Sequence, residues 1–214
     1  ESWMDTFEEA VFSSDYTNSS GIRYTDYIDV NSFTDFLLIN EFSKNSDGYK
    51  LSSYVHKEKD SKGGKLVAGP IWDFDQTYGV STVCSNHIYT GWTYLQNQND
   101  CEDLESMPMW WQAMMQDPSF QNRLKCRGTD FRQSFMHTDS LMNWIIADTT
   151  FLSDAIARNF EKWDGFIGAS IWIEPFPIPQ SYEEEISTMK TWISNRLNWM
   201  DANMPGDCSQ DNLS

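Results

Sequence analysis

The 214-residue chain is expected to fold as a mostly helical α+β domain with one small β-hairpin. Three features predict this: apolar residues at helical spacing in both flanks, short β-like runs between Leu51 and Ile71, and a polar, glycine-rich connector between those runs. Residues 3–13 read as a short helix, followed by a polar loop through Gly21. Asn31 or Ser32 is expected to cap a second helix. Ser32 with Asp35 resembles a capping box, and Phe33, Phe36, Leu37 and Phe42 follow at helical spacing. That helix should end near Lys44 and Asn45. Segments 51–56 and 65–68 read as strands, and 59–64 as the hairpin loop. Residues 80–105 read as irregular loop. Asp117 followed by Pro118 opens another helix, with proline where its missing N–H costs nothing. Leu141, Trp144, Ile145, Leu152, Ile156 and Phe160 are expected to form one apolar stripe. Pro175, Pro177 and Pro179 then interrupt the chain. Ser181 with Glu184 starts the last helix, and Tyr182, Ile186, Met189, Ile193, Leu197 and Met200 line one face. Glu183, Glu184 and Glu185 in its first turn complement the helix dipole.

Composition narrows the class. Hydrophobic residues make up 40% of the chain and aromatic residues 15%, enough for a packed core. Fifteen basic against 32 acidic residues give a net charge of −17. Such a surface repels phosphate backbones and anionic membranes, so nucleic-acid binding is disfavoured. No apolar run approaches the ~20 residues that span a bilayer. Glu1 reads as a mid-protein start without a signal peptide. The four cysteines include no CxxC pair, which leaves a zinc ribbon or thioredoxin-like motif unsupported. Cys84 and Cys101 bracket a loop and are the most economical disulfide. Cys126 with Cys208 would then staple the tail to a helix, and four buried thiols are the alternative. Asn18-Ser19-Ser20 and Asn212-Leu213-Ser214 are glycosylation sequons. Together these favour a secreted, extracellular or cell-surface location.

The stretch Trp72-Asp73-Phe74-Asp75 carries the most chemistry. On an ideal strand Asp73 and Asp75 share a face, and two such carboxylates repel unless a cation such as Mg²⁺ or Mn²⁺ sits between them. Asp47 comes at the end of a helix before the first strand, so the hairpin should return Asp73 and Asp75 to its neighbourhood. Three converging carboxylates, two for metal and one for a proton, suit phosphoryl transfer. Acidic chains contain many Asp-x-Asp pairs by chance. An EF-hand is excluded, because Thr77 and Tyr78 stand where a third ligand and the glycine belong. A glycosyltransferase Asp-x-Asp lacks the alternating strands and helices of a nucleotide-sugar fold. His56, His87 and His137 are scattered and read as structural, and Trp110 and Trp111 as core rather than a sugar platform. Trp72 is expected to be a packing anchor for Asp73. Lys57, Lys59, Lys62 and Lys65 read as a solvated hairpin tip, with ATP phosphates or an acidic protein substrate as the functional alternative.

Several runs together resemble the CotH (spore-coat-H-like) kinase family. They are residues 27–41, Ser43-Lys44-Asn45-Ser46-Asp47-Gly48-Tyr49-Lys50-Leu51-Ser52, the segment from Lys62 through Gly79, Trp110-Trp111, Asp117-Pro118-Ser119-Phe120, Arg158-Asn159-Phe160, Trp163 and residues 197–206. Each piece is weak, but their order is specific and covers nearly the whole chain. The resemblance implies an atypical protein-kinase-like C-lobe at 1–206, followed by a tail at 207–214. It also implies ATP with Mg²⁺ or Mn²⁺, and transfer to serine or threonine of a partner protein. By that resemblance Asp47 accepts the substrate hydroxyl proton, Asp73 holds metal and Asp75 assists; Ser52 and Lys65 are the candidate cofactor-binding residues. Protein kinases place a metal-binding asparagine five residues beyond the catalytic aspartate, where this chain has Ser52. The family's phosphate-binding loop and ATP-pairing lysine are expected upstream of Glu1. Secreted members frame the loop after the metal motif with a cysteine pair, which supports Cys84 with Cys101. The competing expectation is a non-catalytic, pseudokinase-like assembly module.

Overall fold

The computed structural model describes residues 2–98, 107–169, 175 and 177–212. It is mostly helical, with α1 (Trp3–Phe12), α2 (Tyr24–Tyr27), α3 (Val30–Ser43), a hairpin of β1 (Val55–Lys57) and β2 (Leu66–Ala68), then α4 (Trp110–Met114), α5 (Pro118–Arg132), α6 (Thr138–Phe151), α7 (Ser153–Lys162) and α8 (Tyr182–Asn203). The expected mostly helical α+β architecture is therefore found.

Local chemistry explains most boundaries. The Ser2 hydroxyl accepts from the Asp5 amide while Asp5 accepts from the Ser2 amide, a reciprocal cap that starts α1. Asp117 caps α5 by accepting from the Ser119 amide, with Pro118 in the first turn. Ser181 caps α8 by accepting from the Glu184 amide. The start of α3 differs from expectation. Its cap is Asp29, whose carboxylate accepts from the Ser32 amide at 2.9 Å. Ser32 is committed elsewhere, because its hydroxyl donates to the Asp29 carbonyl and accepts from the Ala68 amide of β2. Asp35 pairs with Arg127 of α5, so no Ser32–Asp35 box forms.

Helix α3 is buried nearly all round, as expected of a helix at the centre of a domain, and it contacts α5, α8 and β2. One core layer gathers Phe33, Phe36, Tyr49 and Trp111, with Trp111 stacked on Phe36 at 5.5 Å between ring centroids. This places Trp111 in the core, as the sequence suggested. A second layer joins Phe42, Met136, Trp192, Ile193, Leu197 and Met200.

The hairpin is antiparallel, with Val55 opposite Ala68 and Lys57 opposite Leu66. Its first strand is shorter than expected because the Asp47 carbonyl takes the amides of Lys50 and Ser52, curling residues 47–52 into a turn. The stripe expected over Leu141–Phe160 is also broken. Leu152 ends α6 and begins α7. Leu141 and Ile145 pack on the second core layer, whereas Trp144 and Leu152 face outward. No residue of either helix is fully buried.

Residues 207–212 lie against α5 through the Cys126–Cys208 disulfide and an Arg123–Asp211 ion pair. Cys84 is also disulfide-bonded, and the expected partner Cys101 lies outside the described residues. Asn18 is buried, its amide nitrogen donating to the Tyr27 hydroxyl, which leaves it a poor glycan acceptor in the fold. Residues 213 and 214 of the second sequon are outside the described set. Among the described residues no helix is long and apolar enough to cross a membrane.

The layers meet at a buried ion pair that composition did not reveal. Glu41 of α3 and Arg196 of α8, both fully buried, lie 3.2 Å apart. The Glu41 carboxylate also accepts from the Tyr49 hydroxyl and from the amides of Thr93 and Tyr94. Arg196 donates to the carbonyls of Glu41, Tyr89 and Gly91 and lies over the rings of Trp92 and Trp199. Removing one member strands the other, so Arg196→Met should lower unfolding free energy by about 3–5 kcal/mol. The pair Glu41→Gln with Arg196→Met should cost less than the two single changes summed. Urea unfolding of the four proteins checks this; strictly additive losses would mean the two side chains do not act as a unit.

Candidate functional site

Helix α3 ends at Lys44, which adopts the left-handed conformation (φ 48°, ψ 51°) and returns its amide to Asn40 and Glu41 carbonyls. The chain then turns sharply through Asn45, Ser46 and Asp47. Asn45 is buried; its side-chain carbonyl accepts from the Asp47 amide, and its side-chain amide donates to the Asp73 carbonyl at 3.3 Å. The Ser46 hydroxyl reaches Gln76, which also accepts from Ser81. Gly48 is packed so tightly that an added Cβ would lie 1.9 Å from the Asn40 side-chain oxygen.

After β2 the chain does not continue as a strand. Asp73 takes a left-handed conformation (φ 61°), which costs a residue bearing a Cβ about 1–2 kcal/mol and ends the alternation that was to put Asp73 and Asp75 on one face. The Asp73 carboxylate instead accepts from the Ser52 hydroxyl at 3.3 Å. Asp73 and Asp75 are exposed and Asp47 is half-buried. The Tyr78 amide donates to the Ser43 carbonyl, so the loop closes onto the end of α3. Its far end rests on α8, where the Tyr78 ring meets Phe42 and Trp192 edge-on.

The structure thus brings the Asp47 turn, Ser52 and Asp73 together. Lys65 is not in this group, since its ammonium donates to the Thr25 carbonyl of α2. Trp72 is 59% exposed and touches Tyr54 edge-on, so it is no buried anchor. Among the described residues no three His, Cys, Asp or Glu side chains are grouped to hold a metal ion, and Asp47, Asp73 and Asp75 make no such trio. The donor set is instead one carboxylate beside a hydroxyl, with Asp75 nearby in the chain. Mg²⁺ commonly takes one or two carboxylates and completes its shell with water and phosphate oxygens, so hard oxygens of this kind fit it.

From the sequence, Lys44 and Asn45 marked the helix end, but no role in the site was assigned to them, to Ser46 or to Gln76. Two signals were available: an asparagine just past a helix end is a common turn former, and a lysine at a position favouring glycine needs a reason.

A family model described as CotH kinase protein matches residues 2–200. Neither curated proteins nor solved structures gave a match.

Gly79 offers a direct test of how the Asp73 loop is held. Its φ is +94°, and a Cβ there would meet the Trp192 indole at 2.5 Å. Gly79→Ala should therefore destabilise by about 1–3 kcal/mol through strain and overpacking. It should also displace the Trp192 ring, read as a changed near-ultraviolet circular dichroism band. An unchanged melting temperature and spectrum would show that the loop is not pinned there.

Proposed function

The chain belongs to the CotH kinase family, and from that premise we propose that it acts in an extracytoplasmic protein kinase that moves phosphate from ATP to serine or threonine of a partner protein. Family membership points to kinase-like function; the donor, acceptor, metal and compartment are our reading. The observation that carries it is the junction at Asp73, whose carbonyl is held by Asn45 and whose carboxylate meets Ser52. Two turns, one bearing Asp47 and one bearing Asp73, are fixed against each other there.

In this reading the mostly helical fold with its hairpin is an atypical kinase C-lobe over residues 1–206, with 207–214 as a tail. Asp73, assisted by Asp75, would hold Mg²⁺ or Mn²⁺. When bound, the cation neutralises charge on the transferred group. Asp47 accepts the proton of the substrate hydroxyl as its oxygen bonds to phosphorus and the bond to the departing ADP breaks. Ser52 orients Asp73 by its hydrogen bond and supplies the oxygen that an asparagine offers in protein kinases. Asn45 sets the distance between the turns and touches no substrate. Lys65, held by Thr25, would have to change partner to reach phosphate. The Cys126–Cys208 disulfide supports an oxidising compartment, hence a secreted or cell-surface protein. The charge of −17 supports a protein partner rather than nucleic acid.

A second reading is a non-catalytic assembly module. One observation favours it: Trp144, Phe151, Trp163 and Phe166 turn outward on and after α6 and α7.

The intact protein should phosphorylate a protein acceptor with ATP and Mn²⁺ or Mg²⁺. Asp47→Ala should lower kcat by about 10²–10⁴-fold with nucleotide binding retained. Asp73→Ala should abolish the metal-dependent part of nucleotide binding. Equal incorporation of radiolabelled phosphate by wild type and both variants would reject the kinase reading. Nucleotide binding without transfer would favour the assembly module.

A further inference from the structure

Residues 87–91 form a strap whose five successive carbonyls are all taken by side chains from two helices. The His87 carbonyl accepts from the Trp192 indole. The Ile88 and Thr90 carbonyls accept from the Lys44 ammonium at 2.9 and 2.7 Å. The Tyr89 and Gly91 carbonyls accept from the Arg196 guanidinium at 2.9 and 2.7 Å. Although residues 87–91 are a run of turn and bend, the strap runs between two buried cations, Lys44 holding the carbonyls at 88 and 90 and Arg196 those at 89 and 91. The side chains of Ile88 and Tyr89 are exposed, so the strap is recognised through its backbone.

Lys44 pays a conformational cost for its place. Glycine or asparagine usually fills a left-handed helix end, because a Cβ there costs about 1–2 kcal/mol. Its ammonium is also drawn from water, and that burial, followed by repulsion from Arg196, lowers its pKa to about 8, against a smaller opposing pull from Glu41. Burial, and after it the same cation, lowers the pKa of His87 on the strap. Strain and burial at one residue call for a compensating role.

We propose that Lys44 is a positioning residue for the phosphoryl-transfer site: by anchoring its side chain to the Ile88 and Thr90 carbonyls it fixes the helix end from which Asn45, Ser46 and Asp47 depart. The role in transfer rests on the kinase reading; the role in ordering the turn does not. Lys44 stands three residues before Asp47 and touches no reacting group. With the ammonium held, the left-handed turn has one orientation, and Asn45 meets the Asp73 carbonyl from it. Without it, the turn and the strap lose their common tether.

Three variants of the intact protein test this. If Lys44 merely closes the helix, Lys44→Gly relieves strain and leaves both order and activity unchanged. The proposal expects instead that Lys44→Gly and Lys44→Met, still folded by far-ultraviolet circular dichroism, lower kcat by about 10–100-fold with the KM for ATP nearly constant. Lys44→Arg, which keeps a cation, should recover part of the loss. Hydrogen exchange of amides 47–52 and 87–91 should speed up by about tenfold or more in the Gly and Met variants, while β1 and α1 are unaffected. Wild-type kcat and wild-type exchange in Lys44→Gly would overturn the proposal. If the wild type itself transfers no phosphate, the kinase reading falls and exchange alone decides Lys44: faster exchange in both segments supports its ordering role, unchanged exchange ends it.

Discussion

The contact between Glu41 and Arg196 governs the rest of the architecture. Taking two charges out of water costs several kcal/mol per ion, and their attraction offsets this only when remaining donors and acceptors are satisfied. Here they are. Glu41 accepts from a phenol, two backbone amides and the guanidinium, and Arg196 gives its other donors to three carbonyls. Burial outweighs these partners in setting both groups' proton affinity. It raises the Glu41 pKa and lowers that of Arg196 to about 10. An apolar pair would hold α3 and α8 with less penalty, but it would not fix where Thr93, Tyr94 and the strap must lie.

That requirement reaches the proposed site within six residues. Glu41 precedes Lys44 by three residues, and Lys44 precedes Asp47 by three. Arg196 holds the strap from the α8 side, and Trp192, one turn earlier, receives Gly79 and Tyr78 from the Asp73 loop. Both turns of the site are therefore referred to the same two helices. Rigid helices supporting short loops are a favourable way to hold catalytic groups within fractions of an ångström.

What the sequence revealed follows the range of the interactions concerned. Asp117 with Pro118 and Ser181 with Glu184 act within one turn, and both caps stand where their spacing placed them. Ser32 was misassigned because its hydroxyl serves β2, 36 residues away, a demand that no local pattern contains. The Asp47 carbonyl shortened β1 by taking the Ser52 amide, which the expected strand would have used, together with that of Lys50. Glu41 and Arg196 are 155 positions apart, so the pair was invisible, although Arg196 lies three residues from Ile193 on the apolar face of α8. That the turn after α3 and the loop after β2 meet follows hairpin logic, and the contacts that join them run from Asn45 and Ser52 to Asp73. The left-handed backbone at Asp73 and the neutral partners Asn45 and Ser52 were not legible, since they depend on tertiary packing.

Two short turns, braced by helices α3 and α8, thus meet in one oxygen-rich junction. Manganese is paramagnetic and broadens the amide resonances of nuclei close to it, which makes its position directly observable. With nucleotide present, substoichiometric Mn²⁺ should broaden the amides of residues 45–52 and 73–76 together and before all others, and Asp73→Asn should remove the effect. Broadening centred instead on the exposed acids of α6, α7 or the start of α8, and unaffected by Asp73→Asn, would contradict the account.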